Sequence, residues 1–292
     1  VVPFSGLLTL AFVAYLAWDV MRRDTGTKAM QEIAATIYEG AMAFLNRQYR
    51  TIGVLAIVTA ILIGAVLAIF QNDVEIGVRT SIAFLVGAGA SALSGFIGMF
   101  VAVKSNGRTA SAAQRSLTEA VTTALRGGAV SGFLVVALSL LGVTAMFYAY
   151  GGGDDPAKAP FIIVGFGFGA SFVALFAQLG GGIYTKAADM GADLVGKIEA
   201  GIPEDDPRNA AVIADLVGDN VGDCAGRGAD LFESTAAENI GAMILGVAIF
   251  LATGNTAWVL FPLVVRAFGL IACMIGLYGV PWGEHKDPMA AL

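Results

Sequence analysis

The sequence predicts an all-α membrane protein, a polytopic bundle of about seven transmembrane helices. Of its 292 residues, 57% are hydrophobic and only 14% are charged, whereas a soluble domain of this size is about one quarter charged. Glycine is also abundant, at 38 residues. An apolar, glycine-rich chain is typical of membrane helices that pack backbone to backbone.

Seven stretches of about 20 apolar residues are long enough to cross a bilayer. The first ends in Met21-Arg22-Arg23 and has no basic segment in front of it, which favours a membrane helix over a cleaved signal peptide. Six more follow along the chain. The predicted spans are residues 3–20, 51–70, 80–103, 128–149, 160–183, 234–253 and 256–279.

Lysine and arginine are distributed unequally between the two sides of these spans. One side has only Arg79 and Lys158, beside acids such as Asp73 and Asp154. The other side carries Arg22, Arg23, Lys28, Arg47, Arg50, Lys104, Arg108, Arg115, Lys186, Lys197, Arg208 and Lys286. Because cytoplasmic loops are enriched in lysine and arginine, we expect Val1 outside the cell, and residues 184–209 and Leu292 in the cytoplasm.

The few reactive side chains limit the chemistry. His285 is the only histidine, which excludes a histidine-cluster metal site. Cys224 and Cys273 lie in apolar helical stretches, so we interpret them as packing residues and not as a disulfide. The chain starts at Val1 and stops at Leu292 directly after a charged stretch, which indicates a piece of a longer protein.

An acidic segment separates the fifth and sixth spans. Residues 189–238 hold 12 of the 23 acidic residues, namely Asp189, Asp193, Glu199, Glu204, Asp205, Asp206, Asp215, Asp219, Asp223, Asp230, Glu233 and Glu238. On a continuous α-helix, Asp215, Asp219, Asp223, Asp230 and Glu233 would fall within an arc of about 80°. Like charges at this spacing destabilise a helix, so a cation is expected to compensate them.

Carboxylates together with phosphate oxygens are the usual ligands of Mg²⁺. Asp189 and Asp193 are four residues apart, which places them on one helix face, and Lys186 lies one turn earlier, where it could bind phosphate. Gly218 and Gly222 permit close approach of backbone or ligand. These features predict a phosphate site with several Mg²⁺ ions at the cytoplasmic membrane surface.

Simpler interpretations exist for each feature. Asp189 and Asp193 fit a solvated helix end equally well, and residues 204–206 fit a solvated turn before a helix capped by Asn209. Lys186 taken alone fits an interfacial lysine, and Arg227 would neutralise Asp223. Lys197 and Glu199 fit ordinary surface charges.

The sixth span carries acids at membrane depth. Counting back about 20 residues from Thr253 places Glu238 within the hydrocarbon layer and Glu233 at its boundary. Ionisable residues at this depth are candidates for an ion pathway, with partners on neighbouring helices. Alternatively, Glu238 only hydrogen-bonds Ser234 or a neighbouring helix, and the residues do not decide between Glu233 and Glu238 as the gate.

The sequence resembles the membrane-integral, ion-pumping inorganic pyrophosphatases. The resemblance is carried by GGGIYTKAADMGADLVGKIEAGIPEDDPRN (residues 180–209) and ADLVGDNVGDCAGRGADLFES (214–234), with further similarity in IYEGAMAFLNRQYR (37–50), residues 95–133 and the final DPMAAL. Family members are more than twice this long. We therefore interpret residues 1–292 as the N-terminal portion of one membrane-embedded domain, with residues 184–233 as its acidic substrate-binding segment and the start of the gate helix.

The resemblance implies Mg-dependent hydrolysis of pyrophosphate at the cytoplasmic face of the cell membrane by a homodimer, coupled to outward pumping of H⁺ or Na⁺, with no nucleic-acid partner. It also implies a role for each matching residue. Lys186 contacts the substrate and assists catalysis, Asp223 holds the attacking water, and Asp230 and Glu233 form the ion gate. Substrate and Mg²⁺ are bound by Asp189, Asp193 and Glu204, and Mg²⁺ also by Asp215, Asp219 and Asp223.

Two departures bear on this assignment. Gln178 stands where many members carry an arginine at the top of the ion pathway. The ligands that the family supplies from its C-terminal half are absent, so residues 1–292 alone are expected to be inactive. The residues that decide between H⁺ and Na⁺ and that determine K⁺ dependence are expected beyond Leu292, so the sequence decides neither. Two functions of other classes are the alternatives. An intramembrane prenyltransferase would need a second aspartate cluster, and a channel would not explain Lys186 with the cytoplasmic acids.

Overall fold

The structure is a computed structural model that describes residues 1–203, 206 and 208–279. Within these residues the chain is helical and contains no β-strand. The α-helices are α1 (Val2–Met21), α2 (Lys28–Gln71), α3 (Val74–Ala113), α4 (Leu117–Ala149), α5 (Ala159–Ile162), α6 (Val164–Asp193), α7 (Ala211–Asp219), α8 (Arg227–Thr253) and α9 (Ala257–Gly279). Two π-helical segments, Leu194–Ala200 and Asn220–Gly226, extend α6 and join α7 to α8.

Seven helical stretches are long and apolar enough to cross a membrane, which confirms the predicted number of spans. Two of the helices are much longer than predicted. The apolar windows 51–70 and 80–103 lie within α2 and α3, which have 44 and 40 residues. At about 1.5 Å per residue these helices are roughly twice the length of the hydrocarbon layer. Hydropathy locates only the apolar half of α2, because its first half is polar but still helical.

Helix ends are set by local capping. Thr27 and Ser116 cap α2 and α4 by accepting from the backbone amides of Met30 and Glu119, and Asp73 caps α3 through Glu75. Gly254 ends α8 with a φ of 71°, a conformation that favours glycine. The connections after α2, α3 and α8 are short, so successive spans run antiparallel.

Two of the central helices touch at their backbones. A Cβ atom on Gly87 of α3 would overlap the carbonyl of Phe166, and one on Gly169 of α6 would overlap the carbonyl of Phe84. The main core lies around this contact and includes the buried rings of Phe166 and Phe232, whose centroids are 6.0 Å apart. The predicted backbone-to-backbone packing is therefore confirmed for α3 and α6.

Side-chain contacts assign the loops to two sides of the bundle. Arg115 before α4 pairs with Asp24 after α1 at 2.6 Å, and Asn106 of α3 donates to Asn220 at 3.1 Å. We call this side, which also carries the acidic segment, the acidic side. On the opposite side, the hydroxyl of Tyr150 donates to the carbonyl of Arg79 at 2.6 Å. The two sides match the unequal distribution of loop cations in the sequence.

A labelling experiment tests whether these sides face opposite compartments. Single cysteines at Gly153 and Ala200, in a protein whose Cys224 and Cys273 are replaced by alanine, should react with an impermeant maleimide from opposite sides of a vesicle. Gly153 is preferred to Gly152, because a side chain at Gly152 would meet the ring of Phe147. Labelling of both positions from one side would contradict the topology.

Candidate active site

Lys186, Asp189 and Asp193 lie together at the end of α6, as the sequence predicts. The Nζ atom of Lys186 is 3.4 Å from the Oδ2 atom of Asp189, and the Nζ atom of Lys197 is 3.1 Å from the Oδ1 atom of Asp193. Three-quarters of the Lys186 side chain is exposed, at 75%. Exposed pairs of this kind contribute little to stability, so both carboxylates can exchange their lysine for another cation at little cost.

The second acidic element is not a continuous α-helix. Asp215 and Asp219 lie on α7, Asp223 lies in the π-helical segment Asn220–Gly226, and Asp230 and Glu233 lie on α8. The arc of about 80° calculated for these five acids is therefore wrong. A π-helical turn inserts an extra residue, so the face carrying Asp230 and Glu233 is rotated relative to that of Asp215 and Asp219.

The loop between α6 and α7 is only partly described. Glu204, the predicted ligand in this loop, lies outside the described residues, as does Asp205. Asp206 accepts from the guanidinium of Arg208 at 2.7 and 2.8 Å, and these contacts lower the pKa of its carboxyl to about 2. Asn209 accepts from the amide of Ala211 at 3.0 Å and donates to the carbonyl of Ala192 at 2.8 Å. The expected cap by Asn209 is not found, because Ala210 is the N-cap residue of α7 and makes no side-chain cap bond; Asn209 instead bonds the first amide of α7 and ties this helix to α6.

A row of glycines joins α6 to the acidic helix. A Cβ atom on Gly181 would lie 2.9 Å from the Cα atom of Gly222, and one on Gly218 would lie 2.8 Å from the Cα atom of Thr185. Farther along, one on Gly226 would lie 3.1 Å from the Cα atom of Gln178. We call these four glycines, Gly181, Gly218, Gly222 and Gly226, the glycine seam.

Thr185 reinforces the glycine seam. Its buried hydroxyl lies 2.9 Å from the carbonyl oxygen of Gly181 and 2.7 Å from that of Gly218. The seam brings the backbone that carries Lys186 and Asp189 against the backbone that carries Asp219. Sequence reasoning found Gly218 and Gly222 but missed Thr185 and Gly181, although the GGG run at 180–182 signals a close approach.

The carboxylates of the site are the type of ligand that a hard divalent cation prefers, but too few of them lie close together to hold one. Asp189 and Asp193 on α6 and Asp215 and Asp219 on α7 supply the oxygen donors that Mg²⁺ prefers. Within the part of the chain that the structure describes, no three acidic, histidine or cysteine side chains are grouped closely enough to hold a metal ion. The described residues thus form an incomplete ligand set, which phosphate oxygens and other ligands would have to complete.

Glu233 is held by hydroxyl groups. Its Oε1 atom accepts from Ser171 of α6 at 2.6 Å, and its Oε2 atom accepts from Ser234 at 3.4 Å. Asp230 lies half-buried one turn earlier on α8, and Gln178 of α6 lies opposite Gly226, one further turn toward the acidic side. The sequence predicted the order of Asp230 and Glu233 along the helix, and the resemblance implied that Gln178 lies above them. Neither predicted the contact with Ser171.

The other two charges of this region have partners. Glu238 accepts from Arg266 of α9 at 2.9 Å, and Arg227 donates to Asp223 at 3.1 Å. The simpler interpretation of Glu238, a bond to a neighbouring helix, is therefore confirmed, as is the pairing of Arg227 with Asp223. Arg266 was missed, although a single arginine within an apolar span signals a partner on another helix.

Comparisons with known proteins agree on one family. The model for the family "Inorganic H+ pyrophosphatase" matches residues 7–292. The chain is 64% identical over 292 residues to the K(+)-insensitive pyrophosphate-energized proton pump 2 of Moorella thermoacetica, and covers 42% of that protein. It is 57% identical over 305 residues to the K(+)-insensitive pyrophosphate-energized proton pump of Caldanaerobacter subterraneus, again covering 42% of it.

A third relative differs in the ion that its name gives. The putative K(+)-stimulated pyrophosphate-energized sodium pump of Clostridium tetani is 48% identical over 289 residues. The match covers 99% of this chain and 40% of the relative. The chain therefore spans about two fifths of the length of the curated relatives it matches.

Two adjacent glycines test the seam. Gly181→Ala should lower the thermal unfolding midpoint of the complete protein, because the new methyl group meets backbone atoms of Val221 and Gly222 that cannot rotate away. Overpacking of this kind costs about 1–3 kcal/mol. Gly182→Ala is the matched control, since a Cβ atom there meets nothing within 4 Å in the described structure. Equal midpoints for the two variants would show that the seam is not a tight contact.

Proposed function

Because this chain belongs to the inorganic H⁺ pyrophosphatase family, we propose that the complete protein hydrolyses inorganic pyrophosphate and uses the reaction to pump H⁺ or Na⁺ across a membrane. The family match favours this function over the prenyltransferase and channel alternatives. The observation that carries the proposal in this chain is the glycine seam. It holds an exposed lysine and two sets of carboxylates on adjoining helices, directly above a path of polar residues that enters the bundle.

The charges of the site suit pyrophosphate. Pyrophosphate is a polyanion and would be repelled by carboxylates alone, so the site needs cations between them. Mg²⁺ held by Asp189, Asp193, Glu204, Asp215 and Asp219 would offset the charge of the substrate and stabilise the leaving phosphate. Lys186 adds a mobile positive charge, because its weak pair with Asp189 can be exchanged for a phosphate oxygen.

Asp223 is the proposed acceptor of the proton of the attacking water. It lies within the π-helical segment Asn220–Gly226, and short π-helical turns are frequent at functional sites. Arg227 orients its carboxylate from one turn below at 3.1 Å. A water bound to Asp223 would attack phosphorus in line as the proton passes to the carboxylate.

The proton is released above the predicted gate. The α-helical part from Arg227 to Glu233 alone rises about 9 Å, at about 1.5 Å per residue, so Glu233 lies too far from Asp223 to share the same metal ions. Asp230 lies between them. A change of charge at the site would alter the affinity of Glu233 for a proton or cation, and this coupling links hydrolysis to transport.

The proposal also covers the setting of the complete protein. The distribution of loop cations supports a cytoplasmic acidic side, and pumping from the site would then be directed outward across the cell membrane. We also propose that the complete protein is a homodimer, as the resemblance implies. Because the relatives named above include both proton pumps and a sodium pump, the proposal covers H⁺ and Na⁺ alike and includes no K⁺ requirement.

Substitution of Asp223 tests the catalytic assignment in the complete protein. Asp223→Asn should lower the rate of phosphate release by about 10²–10⁴-fold, the usual effect of losing a general base, while Mg-pyrophosphate binding changes little. Asp219→Asn should weaken binding as well, because a metal ligand is lost. Glu75→Gln, on the opposite side from the site, should leave both unchanged. Normal hydrolysis by Asp223→Asn would contradict the assignment.

Substitution of Glu233 tests the gate. In vesicles containing the complete protein, Glu233→Ala should lower the number of ions pumped per pyrophosphate more than it lowers hydrolysis, since the site itself is intact. Ser171→Ala should lower the same ratio by less, because it removes one of the hydrogen bonds to Glu233 and keeps the carboxylate. An unchanged ratio in Glu233→Ala with a lowered ratio in Glu238→Gln would move the gate to Glu238.

A further inference from the structure

Three arginines converge on one buried carboxylate at the acidic end of α1. The side chain of Asp19 is only 4% exposed, and its oxygens lie 3.1 Å from Arg22, 2.9 Å from Arg23 and 2.6 Å from Arg126. Arg126 comes from α4, so the cluster ties α1 to α4. We call this group, Asp19, Arg22, Arg23 and Arg126, the arginine corner.

The arginine corner carries excess positive charge. Counted with the adjoining cluster, in which Asp24 and Glu119 share Arg115 at 2.6 and 2.9 Å, four guanidinium groups face three carboxylates among the described residues, which leaves one positive charge uncompensated. Within the described residues, the Nε atom of Arg23 is also buried without a hydrogen-bond partner. An anion is therefore expected at this corner.

Aromatic side chains place the corner at the depth of lipid headgroups. The guanidinium of Arg22 lies 4.4 Å from the ring centroid of Trp18, and that of Arg126 lies 5.7 Å from that of Tyr278 on α9. Trp18 is 57% exposed and Tyr278 is 53% exposed. Exposed tryptophan and tyrosine beside arginine are typical of the membrane–water interface.

A largely apolar groove lies between α4 and α9 and begins about one helical turn beyond Arg126. It has a volume of about 310 Å³ and is lined by Ala129, Gly132, Phe133, Val136, Gly269, Leu270 and Cys273, and by Arg266, which pairs with Glu238. The groove is open because Gly132 and Gly269 have no side chains to fill it, and a Cβ atom at either position would meet nothing within 4 Å.

The groove and the corner are aligned along the membrane normal. Arg126 lies ten residues before Val136 on α4, so at about 1.5 Å per residue the groove extends about 15 Å inward from the arginine. On α9, which runs the other way, Tyr278 similarly lies beyond Cys273. A molecule that filled both features would have a negative group at the interface and an apolar chain beneath it.

We propose that this corner binds an anionic phospholipid, with the phosphate against Arg22 and Arg126 and one acyl chain in the groove between α4 and α9. Basic pockets between transmembrane helices on the cytoplasmic side bind anionic headgroups. Charge complementarity and the depth of the aromatic residues favour a lipid over a protein segment. The inference does not depend on the proposed pyrophosphatase activity.

Lipid binding to the purified complete protein tests the inference. Native mass spectrometry should show phosphatidylglycerol retained in preference to phosphatidylcholine of the same acyl chains, and inorganic phosphate should not displace it. Arg22→Gln should weaken phosphatidylglycerol binding about fivefold, the effect of one arginine near a membrane surface. Arg79→Gln on the opposite side is the matched control and should bind as the wild type does.

A second pair of variants tests the groove without changing charge. Gly132→Leu should fill the groove and lower the retention of phosphatidylglycerol, whereas Gly89→Leu, at an exposed position of α3, should not. Equal binding by the Arg22→Gln and Arg79→Gln proteins would overturn the inference. So would failure of a phosphatidylglycerol with a photoreactive diazirine in its acyl chain to crosslink to α9, since it would show that another part of the protein covers the groove.

Discussion

The contact of α6 with the helix that carries the second acidic set is the constraint on which the candidate site depends. Carboxylates on two helices can serve one substrate only if the helices approach closely, and side chains at the interface would hold them apart. Gly181 and Gly222 remove that barrier, and the hydroxyl of Thr185 lies within hydrogen-bond distance of a carbonyl oxygen on each of the two helices, those of Gly181 and Gly218. The abundance of glycine is thus a requirement of the chemistry as well as of packing.

Charges within the membrane-spanning helices follow a second constraint. A lone ionised group in the hydrocarbon layer is costly, and the chain meets this cost in three ways. Asp19 is surrounded by arginines, Glu238 pairs with Arg266, and Glu233 accepts hydrogen bonds from serines. Of these, only Glu233 has neutral partners among the described residues. A carboxylate held by hydroxyls can gain or lose a proton without leaving an opposite charge buried, which suits the gate role that we propose for Glu233.

The π-helical segment Asn220–Gly226 connects the two constraints. It lies where the glycine seam is tightest, and it carries Asp223 between the acids of α7 and those of α8. By adding a residue to the turn, it rotates Asp230 and Glu233 relative to Asp215 and Asp219 while the helix continues into the bundle. In the proposed function, one helix would therefore present metal ligands to the loop region and ion ligands to the interior of the bundle.

Much of this architecture follows from the sequence because it depends on local properties. Apolar length determined the seven spans, loop cations determined the two sides of the bundle, and the spacing of Lys186, Asp189 and Asp193 placed them at one helix end. The sequence also placed Asp230 and Glu233 in order below the acidic cluster, since rise per residue depends on the helix alone. Only the tertiary structure decided that the helix changes to π geometry at Asn220, that Ser171 donates a hydrogen bond to Glu233, and that Arg266 pairs with Glu238. The two contacts join residues far apart in the chain, and they depend on how one helix packs against another, which neither composition nor periodicity records.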